Sequence, residues 1–227
     1  GMSLKANPNI IREAVPFNME ADSLNSIILG KDAAPGTLEF DLFVKEIRKE
    51  ITVKCGQKCT AVRRILVPKE FIDDAQNAIG KALASTTIGD PRMEGVRMGA
   101  LAGRDQLNDA KGKLNELMSF SNMVYGDLEG FEVGHETKEK GSYMSPVLLR
   151  NDDPFNSLGT HEIEAFGPIS TIMPYNDLDE AVELVRKGRG SLCSSIVTFD
   201  DDIAKDYVIN AATHHGRILV LNRESAK

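Results

Sequence analysis

SIILGKDAAPGTLEFDLFVKEIRKEITVKCGQKCTAVRRILVP, residues 26–68, contains one whole strand–helix–strand repeat, and its reading decides the fold. SIIL at 26–29 is a short apolar run closed by Gly30, which predicts a buried strand. Ala33-Ala34-Pro35-Gly36 is a turn signal. From Thr37 to Lys54 the apolar residues Leu38, Leu42, Phe43, Ile47 and Ile51 return at helical spacing, with charges on the other face. Gly56 is well placed to end that helix. RRILVP at 63–68 predicts the second strand.

The same alternation continues outward. Helices are expected at 69–84, 104–118, 177–187 and 201–212, and strands at 122–126, 143–149, 169–174, 194–199 and 216–222. Gly89-Asp90-Pro91 opens a loop, and 127–142 is charged and Gly-containing, as suits a surface excursion or hairpin. Strands alternating with helices imply an α/β fold of three layers, αβα, around a mostly parallel sheet. The uninterrupted apolar strands agree, because both faces of such a sheet are covered.

Composition narrows the function. A formal charge of −7 and a pI near 5.2 argue against a nucleic-acid or anionic-membrane partner. No run reaches the roughly 18 apolar residues of a membrane span. Three cysteines make a disulfide framework the poorer explanation and a reducing, cytoplasmic setting the simpler one.

Cys59 stands in GQKCTAVRR, beside a glycine and the cations Lys58, Arg63 and Arg64. Nearby positive charge and backbone N–H groups are what a nucleophilic thiolate needs, and such N–H groups can also hold an oxyanion. From its neighbours alone, a buried inert cysteine is the commoner reading. Cys55 and Cys59 lack the histidine or second cysteine pair of a metal site, so no metal is expected. Cys193 reads as core packing. Glu20, between Met19 and Ala21, has the apolar setting that raises a carboxyl pKa towards general-base use, although a cap or solvated charge is commoner there. The four histidines show no tie to Cys59, so a cysteine–histidine thioester or ester hydrolase stays open without support.

Several motifs in sequence order carry a resemblance. GQKC at 56–59 is similar to the nucleophile motif of the aldehyde dehydrogenase superfamily, and Glu164-Ala165-Phe166-Gly167-Pro168 resembles its second signature. Gly89-Asp90-Pro91, Gly190-Ser191-Leu192 and the last strand ending in Asn222 fall in matching order. The stretch Glu20-Ala21-Asp22-Ser23-Leu24, and its spacing of 59 − 20 = 39 residues from Cys59, resemble the phenylacetate-degradation branch.

The resemblance implies a catalytic-domain fold with Cys59 as nucleophile and Glu20 as base. It implies Glu164 on the ribose of NADP or NAD, and Phe166 against the nicotinamide ring. The substrate would be a small aldehyde, in this branch a CoA-linked semialdehyde, and the full-length protein a homo-oligomer. Residues 2–227 would then be one catalytic domain without its N-terminal cofactor-binding domain and C-terminal tail, leaving the cofactor site incomplete and the isolated domain of low activity. A degenerate domain kept for assembly is the rival reading.

Overall fold

Residues 2–17, 21–134 and 140–225 are described by a computed structural model. Two short helices, α1 (Met2–Lys5) and α2 (Pro8–Arg12), precede the repeat read from the sequence. Then come β1 (Ser26–Leu29), α3 (Leu38–Thr52), β2 (Arg64–Pro68), α4 (Ile72–Ala84), α5 (Arg104–Leu117), β3 (Asn122–Tyr125), β4 (Val147–Arg150), β5 (Ile169–Tyr175), α6 (Leu178–Arg186), β6 (Ser191–Val197), α7 (Asp201–Ala211) and β7 (His215–Leu221).

The seven strands form one sheet in the order β3-β4-β5-β2-β1-β6-β7. Every pairing is parallel except β3 with β4. In β1, Ile27 and Leu29 join the core under α3 and α4, while Ile28 joins the core under α6 and α7. That split, forced by the two-residue period of a strand, is the three-layer arrangement expected from the apolar runs. Helix α3 is rich in phenylalanine and isoleucine, which are modest helix formers, so packing holds it. Phe43, Ile47 and Ile51 are buried completely, each contributing roughly 1.5–3 kcal/mol relative to exposure.

Capping residues set the helix starts. Thr37 Oγ1 accepts the N–H of Phe40, and Asp177 accepts that of Glu180. The far end of α3 departs from expectation. The helix ends at Thr52, and the chain turns through Lys54 and Cys55 in the left-handed region (φ 54° and 55°) before Gly56 (φ 67°). Two non-glycine residues in that region mark backbone held there by its surroundings. Two strand starts also differ by three residues or more. Strand β4 begins at Val147 instead of 143, and β6 begins at Ser191 instead of 194, because serines interrupt its apolar run. Within 127–142, Gly134 donates to the Ile88 carbonyl at 2.7 Å, tying the described part of this excursion to the Gly89 loop.

Candidate active site

The segments before β1, β2, β5 and β6 converge on one cleft of about 360 Å³. Residues 21–23, Cys59, Glu164, Phe166 and residues 190–192 line it. The cleft therefore lies at the amino ends of the central strands, whereas open parallel sheets generally bind ligands beyond the carboxyl ends. A larger hollow of about 500 Å³ lies between the end of α4 and residues 131–134. None of the residues singled out in the sequence lines it, so chemistry selects the smaller cleft.

Of the three cysteines, Cys59 alone is exposed. Burial pushes the Cys55 thiol up to about 12 and raises that of Cys193, which keeps both protonated near neutral pH. The Cys59 N–H meets no acceptor among the described residues, so it is free to donate to an oxyanion formed at the thiol.

The three cations near Cys59 do not serve it as expected. Lys58 pairs with Glu50 at 2.7 Å. Arg64 is fully buried and donates to the carbonyls of Leu24, Leu184 and Val185, joining the entry of β1 to the end of α6. Arg63 reaches across to the other signature. Its Nη2 donates to Gly56 O at 2.8 Å, its Nη1 to Gly167 O at 2.7 Å, and its Nε to Glu164 at 3.3 Å. The guanidinium also lies over the Phe166 ring, 5.4 Å from its centroid. One side chain thus staples the cysteine turn to the Glu164–Gly167 loop. Gly56 completes that contact, since a Cβ there would collide with the Gly167 carbonyl.

Glu164 accepts the Ser23 N–H at 2.9 Å as well as the Arg63 bond. Its side chain is 6% exposed, and burial raises its pKa against the opposing pull of Ser23 and Arg63. Phe166 keeps 37% of its surface exposed. The structure therefore brings Cys59, Glu164 and Phe166 to one cleft; Glu20 lies outside the described residues.

One polar residue of the site carried no role in the sequence reading, and a second stood there only as part of a motif. Asn25, fully buried just before β1, donates from Nδ2 to the carbonyls of Cys59 and Ala61, both at 2.9 Å. Ser191, at the cleft wall, bonds His215 Nδ1 at 2.7 Å. The only signal for Asn25 is a polar side chain directly ahead of an apolar strand.

An exposed thiol at the amino ends of a doubly covered parallel sheet, its turn stapled to a glutamate–phenylalanine loop, marks the cleft of this α/β domain. The chain belongs to the aldehyde dehydrogenase family, whose pattern it matches over residues 6–221. It is 41% identical over 219 residues to 3,4-dehydroadipyl-CoA semialdehyde dehydrogenase of Aromatoleum evansii, covering 96% of this chain and 42% of that protein. Its fold is similar to that of betaine aldehyde dehydrogenase from Staphylococcus aureus in complex with NAD+, with a TM-score of 0.73 and 20% identity over 88% of this chain and 38% of the other. It is also similar to NADP-dependent glyceraldehyde-3-phosphate dehydrogenase from Bacillus halodurans complexed with NADP (TM-score 0.70, 22% identity, 88% and 38% covered). The chain spans less than half the length of these relatives.

Proposed function

We propose that this chain carries the thiol-acylation half of an NAD(P)-dependent aldehyde dehydrogenase that oxidises a CoA-linked semialdehyde to the acid. The observation that carries the reading is the exposed Cys59 facing the same cleft as Glu164 and Phe166. The substrate class follows the likeness to a CoA semialdehyde dehydrogenase.

The Cys59 thiolate attacks the aldehyde carbon, forming a C–S bond while the carbonyl electron pair moves onto oxygen. The Cys59 N–H donates to that oxygen. An oxidised nicotinamide, when bound, supplies the hydride acceptor. Glu164 and Phe166 would hold it, and they fit in kind. The Glu164 carboxylate has about four acceptor positions and spends two on Ser23 and Arg63. Phe166 offers an exposed ring. Once an acyl group is on Cys59, Glu20 takes a proton from the water that attacks it, and the thiolate leaves as the acid forms. We assign the full-length protein to the cytoplasm, where thiols stay reduced, and to a homo-oligomer, as the family resemblance implies.

Iodoacetamide labelling read residue by residue tests the thiol. Cys59 is expected to label at least ~10-fold faster than Cys55 or Cys193, as exposure and thiolate access dictate. Equal labelling of all three would remove Cys59 from the mechanism.

A further inference from the structure

We propose that Asn25 is the positioning residue that holds the Cys59 turn in its reactive geometry, a role that rests on the reading of Cys59 as the acylated thiol. Asn25 is 34 residues from Cys59 in sequence and makes no use of solvent. Its Nδ2 donates to the carbonyls of Cys59 and Ala61. Its Oδ1 accepts the Cys193 N–H at 3.0 Å and the Ser23 hydroxyl at 2.8 Å. Its own carbonyl accepts the N–H groups of Arg63 and Arg64, both at 3.0 Å. The segments that lead into β1, β2 and β6 are thus tied to this one residue.

The carboxamide is oriented by its partners. Two carbonyls demand a donor on one side, and the Cys193 N–H demands an acceptor on the other. No other side chain of this size meets both demands. Arg63 holds the start of the turn at Gly56 and Lys58 pairs with Glu50, but neither reaches the Cys59 carbonyl. The turn follows two left-handed non-glycine residues, and among the described residues Ala61 N to Lys58 O is the one backbone bond that spans Cys59. Fixing the Cys59 carbonyl fixes the Cys59–Thr60 peptide plane. That plane sets where the Cys59 Cα, and with it the sulfur, stands at the cleft, and thiol addition is sensitive to such placement.

Asn25→Asp is the informative change, because it replaces the donor by an oxygen facing two carbonyl oxygens. A protonated aspartate restores one donor; an ionised one restores none. Iodoacetamide alkylation of Cys59 is followed in the full chain across mildly acidic to mildly alkaline pH, beside Ser23→Ala and a core control, Leu83→Ala. With two hydrogen bonds lost, Asn25→Asp is expected to slow Cys59 on the order of 10-fold or more at neutral pH. The ratio to the parent chain should recover as pH falls; a general loss of stability would recover too, but it would speed labelling of the buried Cys55 and Cys193 instead of slowing Cys59 alone. Ser23→Ala, which takes one partner from Oδ1 and the acceptor of the Leu192 N–H but leaves Nδ2 on the Cys59 carbonyl, should slow Cys59 by roughly 2- to 5-fold with no such recovery. Leu83→Ala should leave the rate unchanged.

A folded Asn25→Asp chain that alkylates at the parent rate at every pH overturns the proposal and leaves Cys59 as nucleophile. Should that variant not fold, Ser23→Ala decides, and an unchanged rate there overturns the proposal. An unreactive Cys59 in the parent chain overturns the functional reading itself.

Discussion

Two arginine–glutamate pairs bury a carboxylate in this molecule, and they do opposite things to it. At the far end of the sheet, Arg223 meets Glu39, whose side chain is 2% exposed, with Nε and Nη2 at 2.7 and 2.5 Å and its own N–H at 3.1 Å. Those bonds outweigh burial and hold the Glu39 pKa down at about 2. At the cleft, Arg63 spends two donors on backbone carbonyls and gives Glu164 one long bond, so burial wins and the pKa rises. Fork-like charge-assisted bonding makes a structural clamp at Glu39. The thinner bonding at Glu164 leaves a carboxylate with acceptor capacity to spare, as a binding site requires.

The sharpest break comes from Arg63→Ala. It strips the buried Glu164 of its cation and takes one donor each from the Gly56 and Gly167 carbonyls, which keep only the N–H groups of Lys58 and Ile169, for an expected loss of about 3–5 kcal/mol in urea or thermal unfolding. A loss no larger than that of an ordinary surface substitution would show that the staple carries no weight. Gly56→Ala comes next. Left-handed backbone costs a non-glycine residue roughly 1–2 kcal/mol, and the Cβ must also push the Gly167 carbonyl away. Cys59 labelling should slow along with the fall in stability.

The smallest effects test the two carboxylates directly. Glu39 has a folded pKa near 2 against an ordinary 4.5, so its contribution is present above pH 4.5 and lost as pH falls towards about 2. The stability gap between the parent chain and Glu39→Gln should therefore close over that window. Glu164, with a raised folded pKa, behaves in the opposite sense. Its ionisation costs stability above that pKa, and the cost fades as pH falls to the unfolded value. The pH-dependent part of the Glu164→Gln difference should thus favour the variant at neutral pH and vanish on acidification. Parallel pH profiles for the two variants would erase the contrast.

The layers of this fold were legible because they rest on local signals. The runs at 26–29 and 64–67 and the spacing of Phe43, Ile47 and Ile51 state which faces are buried. The Cys59, Glu164 and Phe166 cluster was legible only as motifs in order, since nothing local tells that strands β1, β2, β5 and β6 bring their amino ends together. Arg63 was read as a charge near a thiol. Its actual partners lie up to 104 residues away, a separation that no pattern of neighbours reports. Lys54 and Cys55 carry no sequence mark of left-handed backbone, because side chains there are held by the packed turn and not by their own preference.

The account stands on Cys59 receiving an acyl group. Intact-protein and peptide mass spectrometry, after incubation with an aldehyde-bearing CoA thioester and NADP+ or NAD+ and rapid acid quenching, measures this directly. The predicted result is an added acyl mass on the peptide containing Cys59, dependent on the oxidised cofactor and absent from Cys59→Ala. An acyl mass on another residue, or none on Cys59 in a full-length protein that oxidises the aldehyde, would contradict it.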